Sequence, residues 1–187
     1  MNAILQSLSP LQRLLRLPDT LVGELIDGEL HTQPRPSGAH GLAETALGAL
    51  LHPPFHRGKG GPGGWWIIVE PEVHLKRDEE IVVPDLAGWR RERMPALPED
   101  HRFEVVPDWV CEIISPTTAK KDRVVKLPLY GRYGVCHVWL VDPLARTLEV
   151  LELREGVWAV VGLFQEEDLV TAPPFAEAPF DLSELWV

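Results

Sequence analysis

A chain of 187 residues with 45% hydrophobic content can build one sizeable core and is short for two, so a single domain over 1–187 is expected. Its formal charge of −10 excludes a protein that coats nucleic acid indiscriminately, because phosphate neutralisation supplies most of that affinity. No stretch approaches the roughly 18 apolar residues of a membrane span. The N-terminus has neither a long apolar core nor a small-residue cleavage site, which points to a soluble cytoplasmic protein without membrane contact.

Along the chain, SPLQRLLRL (9–17) predicts a short helix capped by Ser9 with Pro10 at its first position. LVGELIDGELHT predicts a hairpin turning at Asp27-Gly28. QPRPSGAH reads as a loop, and alanine and leucine at helical spacing predict a helix over 40–51. The glycine- and proline-rich HPPFHRGKGGPGG after it should form no regular element. WWIIVEPEVHL and IVVPDLAGW read as two strands around a polar turn at 76–80, with RRERMPALPEDHRFEVVP as a connector. DWVCEIIS is a strand and TTAKKDRVVKLPLYGRYGV a helix, in which Pro128 removes a hydrogen bond or causes a kink. CHVWLVD, LEVLEL and VWAVVGLF then predict an antiparallel meander over 137–164.

The strand–helix–strand unit at 108–141 is βαβ-like. With the flanking hairpins it gives an α/β (α+β) domain, a mixed β-sheet flanked by helices, with its core at about 21–165 and an acidic tail. From Leu148 onward nine acids face the single Arg154, whereas 117–136 carries Lys120, Lys121, Arg123, Lys126 and Arg132 against the single Asp122. The tail shields the site or forms a subunit contact on this reading. Cys111 and Cys136 sit in apolar runs and read as reduced, buried thiols.

Three ionisable residues stand where apolar sequence is expected: Asp85 ends IVVPD, Glu112 interrupts WVCEII and Lys126 interrupts VVKLPLY. A carboxylate in a covered strand needs something to offset its desolvation, usually a divalent metal or a paired base. Pro84 cannot donate a ladder hydrogen bond, so a sheet edge or splay should lie beside Asp85. Mg²⁺ (or Mn²⁺) takes one or two carboxylates, keeps several waters and accepts substrate oxygens. Asp85 and Glu112 would suffice for it, with the Ile113 carbonyl as a third ligand. Lys126 can point back toward Glu112, with Asp122 and Tyr130 one turn away on the same helix face.

VPD at 83–85, then CEIIS containing Glu112, then SPTTAKKDRVVKLPLYGRYGVCHVWLVDP resembles the Uma-type endonucleases of the PD-(D/E)XK superfamily. The resemblance extends to GELIDGEL (23–30) and PSGAH (36–40), from about Leu21 to about Leu153. It implies a restriction-endonuclease-like fold and Mg²⁺-dependent nuclease chemistry on DNA. It also implies that the signature lysine, absent at Ile114, has moved to Lys126 in the following helix. A homodimer would suit cleavage of two strands, by analogy alone.

Blander readings stand beside these. Asp85 can cap a turn, Glu112 can snorkel at an edge or pair with a lysine, and Lys126 can be solvated. Glu24 is either an accessory ligand or an exposed strand carboxylate. His40 approaches a phosphate or caps its helix. Glu70 is a third acid or, with Glu72 and His74, part of a solvated face. Lys120, Lys121 and Arg123 can approach phosphates of DNA, while Arg90, Arg91 and Arg93 hold a DNA backbone or form a solvated turn. Two alternatives to a nuclease are a catalytically silent binding or assembly module of the same fold, and a small-phosphoester hydrolase.

Overall fold

The computed structural model describes residues 8–34 and 37–186. Ser9 caps a short helix, α1 (Pro10–Leu14), in a capping box with Gln12. A hairpin follows, β1 (Leu21–Ile26) and β2 (Glu29–Pro34), turning at Asp27 and Gly28, both at positive φ as a tight hairpin turn requires. Helix α2 (Gly38–Leu51) begins two residues before His40, with Ser37 as its cap. It then runs into a π turn at His52–His56, so the stretch expected to be irregular opens with helical structure. The wider π turn accommodates Pro53 and Pro54, which cannot donate to the carbonyls of the preceding turn.

Each of the two long apolar runs that read as one strand is two. The first breaks at Glu70, held at φ +44°, and Pro71, giving β3 (Trp65–Val69) and β4 (Glu72–Lys76). The second breaks at Val83, Pro84 and Asp85, giving β5 (Glu80–Val82) and β6 (Leu86–Arg90). The halves go to different sheets. After the short β7 (Arg102–Phe103) come β8 (Trp109–Ile113), helix α3 over 119–133, β9 (His137–Asp142), β10 (Thr147–Arg154) and β11 (Val157–Gln165). The tail adds β12 (Leu169–Val170), β13 (Phe180–Asp181) and a 3₁₀ turn at Leu182–Leu185.

The larger sheet has the order β11-β10-β9-β8-β6-β3, and β8 and β9 are parallel across α3. The smaller has the order β2-β1-β5-β4-β7. Alternation on the larger sheet sorts its side chains onto two cores. Trp109, Cys111, Ile113, Trp139 and Val141 face α2 and the tail. Val110, Ile114, Val138 and Leu140 face α3 and the smaller sheet. Glu112 lies between Val110 and Ile114 in sequence and shares their face.

The C-terminal segment is structural. Phe175 packs against Phe55, Trp65, Trp109 and Trp139 with ring centroids 4.6–5.6 Å apart, and Val170, Ala172, Leu182 and Leu185 are buried with it. The expected core boundary near residue 165 is therefore too early, because the apolar residues of the tail belong to the core. Cys111 is buried as expected; Cys136 is exposed, and both are free thiols. Among the described residues no helix is long and apolar enough to cross a membrane.

Candidate active site

Asp85 stands where both runs splay. Val69 and Leu86 are the last register partners of β3 and β6, and one step further the Glu70 amide donates to the Asp85 carbonyl at 2.9 Å. Pro84 interrupts the ladder there, and the Asp85 side chain takes over as acceptor: its Oδ2 receives the amide of Ile113 at 2.5 Å. Its other oxygen, Oδ1, lies 2.8 Å from His40 Nε2 of α2. Asp85 thus ties α2 to the strand that carries Glu112. Burial works against a charged imidazole at His40, but the hydrogen bond and charge of Asp85 outweigh it and raise the His40 pKa.

Glu112 is 3% exposed and is met by side chains from α3. That helix contains a π turn at Asp122–Lys126 immediately before Leu127–Tyr133, with Pro128 in the first turn of the latter. The wider turn accommodates the proline without a broken helix, so Lys126 is not swung outward. Asp122, Lys126 and Tyr130, at i, i+4 and i+8, are all buried on one stripe. Lys126 Nζ lies 2.7 Å from Glu112 Oε1 and 2.9 Å from Glu24 Oε1. The Tyr130 hydroxyl donates to the same Glu112 oxygen. At 1% exposure, Lys126 is far from the solvated helix lysine of the blander reading.

Glu24, 1% exposed, is likewise no surface carboxylate. It accepts from Lys126, from Lys121 Nζ at 2.7 Å and from the Val83 amide at 3.0 Å. Burial alone would raise its pKa, but Lys126 and Lys121 lower it to about 2. Burial pushes Glu112 the other way: against the pull of Lys126, desolvation with the charges of Asp122, Asp85 and Glu24 holds it well above the usual carboxylate range.

The sequence matches the family model described as "Putative restriction endonuclease" (Uma2) over residues 11–183. The chain belongs to the Uma2 family. A solved structure similar to this Uma2 chain is that of a "putative nuclease belonging to DUF820" from Anabaena variabilis ATCC 29413. It is 23% identical, with a TM-score of 0.74 over 95% of this chain and 97% of that chain, and so shares the restriction-endonuclease-like fold. Among curated proteins none matches.

The fold of this Uma2 chain brings Asp85, in the bend just before β6, beside strand β8 with Glu112, places the Ile113 amide on Asp85 and sets Lys126 against Glu112. Asp85 and His40 line a cleft of about 310 Å³ together with Glu70, Ser115, Thr117 and Thr118, while Glu112 and Lys126 are buried and do not line it. Of the cations expected at phosphates, Lys121 is held by Glu24 and Gln33, and Arg123 makes a two-pronged pair with Glu149 at 2.6 and 3.1 Å. Of the three, Lys120 is the exposed one. Residues 91–93 form the expected turn with Arg90 and Arg93 exposed, and its arginines are held in place: Arg90 and Arg91 stack on Trp65 and Trp66, and Arg93 pairs with Asp108 at 2.8 Å. Glu70 borders Asp85, while Glu72 and His74 pair with each other elsewhere in the smaller sheet.

Among the described residues no three His, Cys, Asp or Glu side chains stand ready to hold a metal ion. A hard divalent cation that keeps its waters needs fewer, and the donor set fits one. Glu24, Asp85, Glu112 and Asp122 gather around Lys121 and Lys126, and burial together with the surrounding acids keeps Glu112 from ionising freely. Sequence reasoning missed one acid here, Glu44. It lies one helical turn after His40 on a face otherwise made of Ala43, Leu47 and Leu51, and an acid on that apolar stripe was the available signal. Burial, then the charges of Asp85 and Glu70, push its carboxyl up to about 7.

Proposed function

We propose that this Uma2 chain is a divalent-cation-dependent endonuclease that hydrolyses DNA phosphodiester bonds at Asp85, Glu112 and Lys126. Asp85, Glu112 and the Ile113 carbonyl would hold Mg²⁺ or Mn²⁺. Such an ion lowers the pKa of an attacking water and neutralises charge growing on the phosphoryl oxygens. The protein's own part is positional. Lys126 and Tyr130 converge on Glu112 Oε1 and fix that carboxylate, while His40 and the Ile113 amide fix the two oxygens of Asp85. Lys126 also sets a positive charge against Glu112, from which it would support the attacking water and the developing phosphorane charge.

The observation that carries this reading is the burial of Lys126 between Glu24 and Glu112. A fold served only by packing would place an apolar side chain there, since a buried ion pair contributes little or negative stability relative to one. Lys120 and the hydroxyls of Ser115, Thr117 and Thr118 are the groups available to phosphates at the cleft.

The test is cleavage of supercoiled DNA with Mg²⁺ or Mn²⁺, with wild type compared to Asp85→Ala. Nicking that needs the cation and vanishes in the variant, at an unchanged circular dichroism spectrum, is expected. Short oligonucleotides should compete and nucleoside monophosphates should not. Intact DNA at every cation concentration, or equal cleavage by the variant, would contradict the proposal and favour a silent scaffold.

A further inference from the structure

We infer that the glycine-rich loop between α2 and β3, with the corner after β6, is a docking surface for the DNA backbone, set about five base pairs along the duplex from Asp85. The inference rests on the reading of the chain as a DNA endonuclease and adds a surface outside its catalytic cleft.

From His52 to Trp66 the sequence carries Arg57, Lys59 and two histidines, and no acid. It folds as a fixed loop. The amides of Arg57, Lys59 and Gly63 donate to the carbonyls of His52, Pro53 and Pro54 at 2.8–3.0 Å. Gly58 and Gly60 flank Lys59 at φ +65° and +78°, a conformation that favours glycine, and a Cβ at Gly61 would stand 2.5 Å from Pro54 Cβ. Arg91 locks the exit of the loop. Its amide donates to the Gly64 carbonyl at 2.9 Å, its guanidinium donates to the carbonyls of His56 at 2.7 Å and Trp65 at 3.2 Å, and it stacks on Trp66. Arg90, the register partner of Trp65, lies 4.6 Å over that ring.

Four cations are thus held on a rigid frame, with Arg57, Lys59 and Arg90 exposed. Among the described residues no carboxylate forms an ion pair with any of the four, whereas the neighbouring Arg93 has Asp108. Glu92, exposed in the turn after Arg91, is the one acid interleaved with them in sequence. Burial, then the positive charges of His52, Arg91 and Arg57, lower the His56 pKa, which reports the same concentration of charge. On a chain of net charge −10 this is a local reversal of sign, and a phosphate backbone is the polyanion complementary to it.

The surface is continuous with the cleft. A groove of about 390 Å³ runs between Thr45, Gly48 and Ala49 of α2, His52 of the π turn, and Ile67 and Val69 of the edge strand β3, with no acid in its wall among the described residues. One end meets the cleft, where Glu70 follows Val69 and lines it beside Asp85. The other ends at His52, whose carbonyl accepts from Arg57. The five residues of β6 separate Asp85 from the Arg90 corner by roughly 17 Å, the axial length of about five base pairs. A duplex cut at Asp85 and lying along this groove reaches the loop.

Fluorescence anisotropy of a labelled duplex of about 20 base pairs, two helical turns, tests this in EDTA over a salt series, where no cleavage intervenes. Arg57→Ala with Lys59→Ala should keep the wild-type melting temperature and raise the dissociation constant about tenfold at low salt. It should also reduce the slope of log affinity against log salt by about 1.8, two phosphates at about 0.9 each. Lys76→Ala with Arg77→Ala removes the same charge from the exposed turn after β4 and should change neither quantity. If the loop variant matches wild type in affinity and slope, or the turn variant weakens binding as much, or wild type binds no duplex, the surface is refuted; nicking of supercoiled DNA then still decides the catalytic reading. If the loop variant alone loses affinity and slope while wild type never nicks DNA with Mg²⁺ or Mn²⁺, the surface stands and the catalytic reading fails.

Discussion

Lys126 holds two carboxylates in the interior, and its removal shows what that arrangement is for. Lys126→Met keeps much of the side-chain volume but leaves Glu24 and Glu112 buried without their shared cation, which should destabilise the fold by about 3–5 kcal/mol. Urea titration with circular dichroism would measure it, and a loss under about 1 kcal/mol would mean that the two acids reach other partners. Glu44 gives a pH signature in metal-free buffer. Its carboxyl titrates near 4.5 in the unfolded chain and at about 7 in the fold, so the native state keeps a proton that the unfolded state releases. Stability attributable to this group is undiminished below pH 4.5, falls as pH rises between those values and is fully reduced above 7. Glu44→Gln should therefore match wild type at the acid end and exceed it above pH 7, by at most about 3 kcal/mol. Parallel stability curves for the two proteins across that range would contradict the assignment.

At the scale of elements, strand–helix–strand at 108–141 and the meander after it were legible because each has its own period and turn signal. The same holds for the trio Asp85, Glu112 and Lys126, each an ionisable residue against an apolar background. The splitting of two long runs between sheets was not legible. Glu70 at φ +44° and Pro84 break the strands, yet apolar sequence resumes directly after both breaks, and a sequence does not say which sheet a strand joins. Glu24 was ambiguous for the same reason: strand β1 looks half-solvated until α3 closes over it. The tail misled through its charge, because its six acids after residue 165 masked apolar residues that anchor it. Phe175→Ala should remove about 3–5 kcal/mol by opening a void among Phe55, Trp65, Trp109 and Trp139. A thermal melt within error of wild type would show that the segment does not support the core.

For the whole molecule, the two edges of the larger sheet differ. At β3 the Ile67 amide is taken by the His56 ring and the Trp65 carbonyl by Arg91. At the other edge, the nine residues of β11 include no charge and no proline, and Val157, Val160 and Leu163 are 69%, 56% and 70% exposed. An open, uncharged strand on a chain of net charge −10 is suited to antiparallel pairing with its own copy. Sedimentation should show a dimer that Val160→Lys converts to a folded monomer; a monomeric wild type would contradict it. The account as a whole depends on the Asp85 carboxyl and the strand end bearing Glu112 sharing a cation. Anomalous diffraction from crystals grown with Mn²⁺ measures that directly. An anomalous peak ligated by Asp85 and Glu112 is predicted, and Mn²⁺ found only at sites remote from both, or at none, would contradict the account.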